Sequence, residues 1–150
     1  MFNFVFQNTT KLVFGRGQIA QLSSLIPTDK KVLITFGGGS VKRNGVYDQV
    51  KKALAGHNVV EFWGIEPNPA VETLRKAVKL GLEEKVDMLL AVGGGSVLDG
   101  TKLIAAAIAQ PNLDAGDIVK SGSAIKQIPF ASVMTLPATG SEMNNGAVIS

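Results

Sequence analysis

Two glycine-rich turns contain the residues whose types and spacing best suit ligand binding. In each, an apolar run ends in three glycines and a serine, and an apolar helix pattern starts immediately afterwards. Glycines let the backbone approach a ligand closely and adopt positive φ angles, and free N–H groups at a helix start bind phosphate. Two such turns after two strands predict a phosphate-bearing ligand, with a dinucleotide as the leading candidate. The candidate binding residues are Gly37, Gly38, Gly39 and Ser40 in the first turn and Gly94, Gly95 and Ser96 in the second.

Neither turn has the spacing of a common nucleotide-binding motif. The G-x-G-x-x-G pattern ends in glycine, whereas Lys42 occupies that position in the first turn and Leu98 in the second. The G-K-[ST] ending of a phosphate-binding NTPase loop is also absent. A purely structural alternative is a tight turn in which Ser96 is an ordinary helix N-cap. Because three consecutive glycines exceed what a cap requires, the pattern favours phosphate binding.

Asp99 follows the second turn and has two interpretations. Ser96 and Asp99 have the spacing of a capping box, in which the carboxylate accepts a hydrogen bond from the serine N–H. Alternatively, the carboxylate contacts a ribose hydroxyl or the substrate. The residue types are compatible with both roles.

A third polar segment, LPATGSE at 136–142, follows another predicted strand. Thr139, Gly140 and Ser141 offer hydroxyl and N–H groups without charge, which suits contacts with a sugar or an amide. In a parallel sheet the carboxyl ends of the strands lie at one edge, where ligands bind. This segment is therefore expected to form a third wall beside the two glycine turns.

Apolar periodicity predicts strands that alternate with helices. Predicted strands cover 2–6, 11–14, 32–36, 59–63, 88–92 and 130–136, and another starts at 147. Predicted helices cover 17–25, 46–54, a segment opened by Asn68 as N-cap and Pro69, then 97–109 and 114–120. The helix over 97–109 is apolar nearly all round, which predicts a buried position. The alternation predicts an α/β fold: a parallel sheet with helices on both faces, plus short N-terminal strands.

Composition limits the classes of function. The 150 residues are 45% hydrophobic and 18% charged with a net charge of +3, which excludes a disordered chain and leaves no basic block for nucleic acid. No apolar run is long enough to span a bilayer and the N-terminus lacks signal-peptide features, so a soluble, cytoplasmic protein is expected. There is no cysteine, and the single histidine, His57, is expected in a solvated loop. A tight transition-metal site within the chain is therefore not expected.

The chain is expected to be one dinucleotide-binding domain, 1–150, cut from a longer protein. A turn signal at 144–146 is followed by an apolar stretch of four residues at which the chain stops. An unpaired edge strand and an uncovered domain face both promote self-association. A homodimer or larger assembly is therefore expected.

Three motifs together resemble the N-terminal domain of iron-containing (group III) alcohol dehydrogenases. They are GGGSVLD from Gly93, PNP at 67–69 and LPATGSE from Leu136. The opening segment FQNTTKLVFGRG at 6–17 is similar to that family as well, and the resemblance extends over essentially all 150 residues. Within the family, the NADP-dependent butanol dehydrogenase and broad aldehyde reductase branch is most similar. The resemblance implies a Rossmann-like, dehydroquinate synthase-like domain that binds a nicotinamide dinucleotide.

The resemblance also implies roles for individual residues. The turn at 93–96 would hold the pyrophosphate, and the first glycine turn would lie beside the adenosine ribose. Asn68 would line the adenosine side, and Asp99 would lie near the nicotinamide and the substrate. The residues implied near adenine, ribose or the nicotinamide side are Thr135, Thr139 and Ser141.

The resemblance further implies NADP rather than NAD. NAD-preferring members carry an acidic residue after the first strand, which accepts a hydrogen bond from the ribose 2′-hydroxyl. Gly37 stands at that place here, so no carboxylate would repel a 2′-phosphate. Ser40, Lys42 or Arg43 could attract the phosphate, unless the two cations are simply solvated charges at a helix start.

The sequence does not offer the set of metal ligands that the family uses. In the family, Fe²⁺ or Zn²⁺ is held by an aspartate and histidines of a second, helical domain, and it polarises the alcohol oxygen for hydride transfer. With His57 as the single histidine, no metal ligand or catalytic residue is assigned, and the chain alone is expected to be inactive on alcohols and aldehydes. The alternatives are a stand-alone nucleotide-binding module, a glycerol or glycerol-phosphate dehydrogenase relative, and a flavodoxin-like carrier.

Overall fold

A computed structural model describes residues 10–121, 126–136, 138, 140–143 and 147–150 of the chain. The strands are β1 (Lys31–Phe36), β2 (Asn58–Phe62), β3 (Met88–Gly94) and β4 (Phe130–Leu136). The α-helices are α1 (Leu22–Leu25), α2 (Ser40–Arg43), α3 (Val46–Ala53), α4 (Val71–Glu83), α5 (Gly95–Ala109) and α6 (Ala115–Ser121), and 3₁₀ helices cover Gln18–Gln21 and Ser141–Met143. Within these ranges, no helix has the length and apolar character needed to cross a membrane.

The four strands form one parallel sheet in the order β2-β1-β3-β4. Leu33 of β1 lies opposite Val60 of β2 on one side and opposite Leu89 of β3 on the other. Leu90 of β3 lies opposite Ala131 of β4. The chain therefore crosses over β1 on its way from β2 to β3, and the predicted parallel α/β sheet is confirmed.

Alternate residues of β1 face opposite sides of the sheet, as the strand period requires. Ile34 and Phe36 are completely buried in a cluster that includes Leu22 of α1 and Val50 of α3. Leu33 is completely buried in a second cluster, which is built from α4, α5 and α6. Helices cover both faces as predicted, and this is why β1 is a nearly unbroken apolar run.

The predicted burial of α5 is confirmed, because most of its residues are buried. Gly100 lets α5 approach α4 closely: a Cβ there would lie 2.9 Å from Cδ2 of Leu74. The hydroxyl of Thr101 lies 2.7 Å from the Val97 carbonyl oxygen and 2.6 Å from the hydroxyl of Thr35 in β1. The two buried threonines thus satisfy each other, and they cross-link the helix to the sheet.

The expected N-terminal strands are not seen in the described sheet. The strand predicted at 2–6 lies outside the described residues. The strand predicted at 11–14 is wrong, because these residues form no strand and the Phe14 side chain is 94% exposed. The described part of the chain offers no neighbouring strand to complete the hydrogen bonds that strand structure requires.

The strand predicted to start at 147 is also wrong. Residues 147–150 form no strand, but their backbone contacts the start of α4. The Ser150 N–H donates to the Pro69 carbonyl oxygen at 2.9 Å, and the Val71 N–H donates to the Ser150 carbonyl oxygen at 3.2 Å. These bonds satisfy the backbone polar groups that a strand would otherwise pair.

Asn68 is not the N-cap of α4, which corrects the predicted start of this helix. The helix begins at Val71 with Ala70 as N-cap, and Asn68 has a left-handed φ of 50° rather than an extended backbone. Glu66 caps the helix instead. Its carboxylate accepts hydrogen bonds from the Ala70 N–H at 2.6 Å and from the Thr73 hydroxyl at 2.9 Å.

Candidate dinucleotide-binding site

The two glycine turns leave the carboxyl ends of the neighbouring strands β1 and β3. After the first turn the chain enters α2 and α3, and Val50 of α3 packs on one face of the sheet. After the second turn it enters α5, whose Leu98 packs on the opposite face. The turns therefore diverge and leave a crevice between them. Such a crevice is where open parallel sheets bind their ligands.

The second turn combines a position that requires glycine with one that is open. Gly93 has a φ of +153°, and a Cβ there would lie 2.8 Å from Cγ2 of Val97. Gly94 has a φ of −87°, and no atom lies within 4 Å of where its Cβ would be. α5 begins at Gly95, and the half-buried Ser96 lies in its first turn. The N–H groups of that turn have no intrahelical acceptor, so they are available to an anion in the open space.

Asp99 does not form the capping box, which is one of its two interpretations. α5 starts before Ser96, with Gly94 as its N-cap, so Ser96 is already inside the helix. The Asp99 carboxylate instead accepts a hydrogen bond from the Ser141 hydroxyl at 2.6 Å and another from the Val148 N–H at 3.1 Å. Asp99 therefore joins α5 to the segment after β4.

Lys102 makes a second connection between α5 and that segment. Its buried Nζ donates a hydrogen bond to the Ser141 carbonyl oxygen at 2.7 Å. Burial lowers the pKa of Lys102 below its ordinary value, while the nearby carboxylates of Asp99 and Glu142 act in the opposite direction. Asp99 and Lys102 are three residues apart on one helix face, so together they hold Ser141 from two sides.

Thr135 and Ser141, which lie near the two ends of the third polar segment, differ in their exposure to solvent. Thr135 is exposed near the carboxyl end of β4. Ser141 is only 3% exposed, so its hydroxyl faces Asp99 rather than solvent. Thr139 lies outside the described residues. The structure thus places this segment beside α5, at the same edge of the sheet as the second glycine turn.

The first glycine turn lies against the chain that leaves β2. The Gly37 carbonyl oxygen accepts a hydrogen bond from the Gly64 N–H at 3.2 Å. Gly39 has a left-handed φ of 107° and is the N-cap of α2, which begins at Ser40. Gly38 and Ser40 are exposed. The exposed Asn68 lies farther along, in the loop between β2 and α4.

An aromatic cluster stands beside the first turn. The rings of Phe36 and Trp63 are stacked, with centroids 4.0 Å apart and planes inclined by 11°. Tyr47 lies against both rings. The Lys42 ammonium lies over this cluster, 4.4 Å from the Trp63 centroid and 5.3 Å from the Tyr47 centroid, within the range of cation–π attraction.

The Glu61 carboxylate holds the aromatic cluster in place. It accepts hydrogen bonds from the Trp63 indole N–H at 3.1 Å, the Tyr47 hydroxyl at 3.2 Å and the Lys51 ammonium at 3.1 Å. Burial alone would raise the pKa of Glu61, but the hydrogen bonds from Lys51 and Trp63 outweigh it and hold the pKa below its ordinary value. Burial and the Glu61 carboxylate raise the pKa of Tyr47. The cluster is therefore held by a charged acceptor.

The described residues do not supply a metal centre. Within them, no group of three or more His, Cys, Asp or Glu side chains is placed to hold a metal ion. His57, expected in a solvated loop, is half-buried, and its Nε2 is 2.7 Å from the Ile26 carbonyl oxygen. That contact gives the side chain a structural role at the edge of the sheet opposite the glycine turns. The metal that the family resemblance implies has no fitting ligand set here, and no reaction step is assigned to it.

Two functional candidates were not identified from the sequence. Lys102 is the single basic residue of α5, a helix that is mostly apolar and buried, and that contrast is the signal that could have marked it. Trp63 follows β2 directly, but nothing in the local sequence indicates that it stacks on Phe36 and carries Lys42.

Comparison with known proteins agrees with this geometry. The family model for iron-containing alcohol dehydrogenase matches residues 9–150. The chain belongs to the iron-containing alcohol dehydrogenase family. This confirms the family resemblance of the three motifs, and it identifies the sheet and its glycine turns as the N-terminal domain of a family of oxidoreductases.

Curated relatives in this family include enzymes of both cofactor types. The chain is 61% identical over 153 residues to the NADPH-dependent aldehyde reductase YqhD of Escherichia coli. It is 53% identical over 153 residues to the probable NADH-dependent butanol dehydrogenase 1 of Bacillus subtilis. These matches cover 100% and 99% of the chain, but 40% and 39% of the two relatives. The chain thus spans about two-fifths of their length.

Solved structures of the family show the same fold. The crystal structure of Escherichia coli YqhD has a TM-score of 0.94 at 60% identity, covering 99% of this chain and 39% of that one. The NADH-dependent butanol dehydrogenase A of Thermotoga maritima has a TM-score of 0.92 at 45% identity, covering 99% and 38%.

Proposed function

We propose that this chain is the nicotinamide-dinucleotide-binding part of an oxidoreductase that transfers hydride between NAD(P) and a primary alcohol or aldehyde. The observation that carries the proposal is the second glycine turn. It sits at the crevice between β1 and β3, it leads into the fifteen-residue helix α5, and it has open space at Gly94. A helix start with free amides beside open space suits a pyrophosphate.

The proposed binding mode runs along the carboxyl edge of the sheet. The amides of Gly94, Gly95 and Ser96 bind the pyrophosphate. The adenosine extends towards the first glycine turn and Asn68, and the nicotinamide extends towards Asp99 and Ser141, where α5 meets the segment after β4. Because Asp99 already accepts two hydrogen bonds, it acts mainly by holding the wall against which the nicotinamide side lies.

NADPH is the proposed cofactor in preference to NADH. Gly37 follows β1 and brings no carboxylate beside the ribose, and a Cβ there would lie 3.3 Å from the Ile65 carbonyl oxygen, so a larger residue would require a small shift of that backbone. Ser40, Lys42 and Arg43 follow directly and are exposed. The NADPH-dependent relative at 61% identity supports the same choice, whereas the relative at 53% identity is named a probable NADH-dependent enzyme. Tighter binding of NADH than of NADPH would contradict this preference.

The catalytic metal and its ligands are proposed to come from a second domain of the complete enzyme. Two observations support this: the chain spans 40% of its relative YqhD, and the described residues contain no metal-binding cluster. The chain by itself is then expected to bind the dinucleotide without oxidising alcohols. Formation of NADPH from NADP and a primary alcohol, with Fe²⁺ or Zn²⁺ added to this chain, would overturn that expectation.

The substitution Gly94→Ala tests the proposed pyrophosphate site. Alanine adopts the φ of −87° without strain and meets no atom within 4 Å, so the fold should persist while the methyl group occupies the binding space. We expect the dissociation constant for NADPH, measured by calorimetric titration, to rise about tenfold or more, since hydrogen bonds to charged groups contribute roughly 1.5–3 kcal/mol.

Gly56→Ala is the matched control. Gly56 also has open space around it, but it precedes β2 and so lies at the opposite edge of the sheet. This variant should bind NADPH as the parent chain does. If Gly94→Ala retained the parent affinity while remaining folded, the pyrophosphate would not bind at this turn.

A further inference from the structure

Asn44 and Gly45 connect α2 to α3. Asn44 is exposed and is the C-cap of α2, with a φ of −94° and a ψ of 4°. Gly45 is the N-cap of α3, with a left-handed φ of 82°. Outside the adjoining residues, no atom of the described chain lies within 4 Å of where a Gly45 Cβ would be. The peptide bond between the two residues therefore has open space beside it.

The side-chain carbonyl of Asn44 is polarised by a helix start. Its Oδ1 accepts a hydrogen bond from the Val46 N–H at 3.1 Å. Val46 is the first residue of α3, and the N–H groups at a helix start carry partial positive charge. A donor at this oxygen makes Cγ more electrophilic, and it stabilises the negative charge that develops on the oxygen when a nucleophile attacks.

The backbone nitrogen of Gly45 is the nucleophile next to that carbonyl. Its attack on Cγ closes a succinimide ring, and glycine has no Cβ to hinder the approach. Ring closure requires rotation about the Asn44 Cα–C bond, away from the ψ of 4°. The connection permits this rotation because neither residue lies inside a helix and glycine tolerates a wide range of backbone angles.

The other asparagines of the described residues lack such a neighbour. Asn58, Asn68 and Asn112 are followed by valine, proline and leucine. Proline has no N–H to lose, and the other two residues carry branched side chains beside the attacking nitrogen. A second Asn-Gly pair, at 145–146, lies outside the described residues.

We propose that Asn44 is a site of spontaneous deamidation, at which the side-chain amide becomes a carboxylate. First, the Gly45 nitrogen bonds to Cγ and gives up its proton, while the Cγ–Nδ2 bond breaks and ammonia leaves. Water then adds to either carbonyl carbon of the succinimide, and the ring C–N bond at that carbon breaks. Opening at Cγ gives aspartate, and opening at the main-chain carbonyl carbon gives isoaspartate. Water is the single co-reactant, and no group is oxidised or reduced.

Both products change the connection between α2 and α3. Aspartate adds a negative charge beside the start of α3, where a carboxylate is favourable. Isoaspartate inserts a methylene group into the main chain two or three bonds before α3, so it displaces the helix from its position on the sheet. Tyr47, the second residue of α3, has its ring centroid 5.5 Å from that of Trp63. The fluorescence of Trp63, the single tryptophan, therefore reports this displacement.

Peptide mapping of the aged chain tests the proposal. The chain is incubated in mildly alkaline buffer for several days, digested with trypsin and analysed by mass spectrometry. The tryptic peptide 44–51 contains Asn44 as its single asparagine. We expect conversion in this peptide to proceed about tenfold faster or more than at the exposed Asn112, because an unhindered nitrogen lowers the barrier. Isoaspartate in the same peptide, detected with an isoaspartyl methyltransferase, should form the larger share of the product.

Two variants separate the nucleophile from the amide. Gly45→Asp keeps the left-handed backbone, which aspartate tolerates, and its Cβ enters open space. Because that Cβ hinders the nitrogen, conversion at Asn44 should be slowed about tenfold or more. Asn44→Gln keeps an exposed amide but requires a larger ring, so its peptide should not convert over the same days. Its Trp63 fluorescence should stay constant on ageing, whereas that of the parent chain changes as isoaspartate accumulates. Circular dichroism checks that both variants fold.

Each of three results would overturn the inference. One is equal rates of conversion at Asn44 and Asn112, including the case in which the pair at 145–146 alone converts. Another is unchanged conversion in Gly45→Asp, which would show that the Gly45 nitrogen is not the nucleophile. The third is conversion to aspartate without isoaspartate, which would indicate direct hydrolysis of the amide. These measurements use the chain without nucleotide, so none of them bears on the proposed function.

Discussion

At the scale of single residues, Asp99 and Lys102 determine where the third wall of the site lies. The Asp99 carboxylate accepts hydrogen bonds from Ser141 and Val148, and the Lys102 ammonium donates to the Ser141 carbonyl oxygen. Both charged groups come from one turn of α5, and both partners come from the chain after β4. The polar loop is therefore attached to the same helix whose first turn forms the proposed pyrophosphate site.

We predict that Asp99→Asn lowers the free energy of unfolding by about 1–3 kcal/mol, because the amide replaces a charged acceptor of two hydrogen bonds by a neutral group with one acceptor oxygen. Urea denaturation followed by circular dichroism measures the change. Asp29→Asn is the control, since Asp29 is exposed and its side chain forms no hydrogen bond or ion pair with the part of the chain that the structure describes. Equal stabilities of the two variants would show that the Asp99 contacts are not maintained in solution.

At the scale of elements, the start of α4 is set by a residue from outside the helix. Glu66 accepts hydrogen bonds from the Ala70 N–H and the Thr73 hydroxyl. These two bonds hold the pKa of Glu66 below its ordinary value of 4.5, and the bond from Ala70 has the larger effect. Asn68 and Pro69 have the residue types of a helix start, but the left-handed Asn68 leaves the capping to Glu66.

Glu66→Gln is expected to lower the free energy of unfolding by about 1 kcal/mol at neutral pH, a typical loss for a helix cap. A carboxyl whose pKa is depressed in the folded state stabilises the protein above its unfolded pKa, and this contribution disappears as the pH falls through the folded pKa. The difference between parent and variant should therefore be constant above about pH 5 and shrink below pH 4.5. Urea midpoints measured across this range check the prediction.

Glu83→Gln serves as the control for this pH series. Glu83 lies at the other end of α4, and its exposed carboxylate is 3.9 Å from Lys79. Exposed pairs of this kind contribute little, so this variant should follow the parent chain at every pH. A Glu66→Gln difference that stayed the same down to low pH would contradict the ionised cap.

At the scale of the whole molecule, apolar groups at one end and one edge favour self-association. Leu12 and Phe14 are 68% and 94% exposed, and among the described residues no strand pairs with the outer edge of β4. Exposed apolar surface and an open strand edge are both available to a second copy of the chain.

We expect sedimentation velocity to show a dimer or larger species whose fraction rises with protein concentration. Phe14→Ser should shift the population towards monomer. It should leave the unfolding free energy within about 0.5 kcal/mol of the parent value, because the side chain is already in water. Leu113→Ser removes another exposed apolar side chain, 49% exposed in the loop before α6, and should have the smaller effect. A strictly monomeric parent chain would contradict the expectation.

The sequence by itself determined most of the elements and both glycine turns. The apolar runs at 32–36 and 88–92, the helical spacing over 97–109 and the glycine clusters predict the backbone correctly because each pattern acts on neighbouring residues. The alternation of strands and helices is enough to predict a parallel sheet. At 11–14 and 147–149 the same reasoning failed, because strand structure also needs a partner strand.

Only the tertiary structure decided which side chains meet. The contact of Ser141 with Asp99 joins residues 42 apart in sequence, and that of Thr35 with Thr101 joins residues 66 apart. The cap of α4 and the support of Lys42 by Trp63 likewise depend on which segments become neighbours. Local patterns specify backbone conformation, whereas the partner of a polar side chain is set by the packing of the whole sheet and its helices.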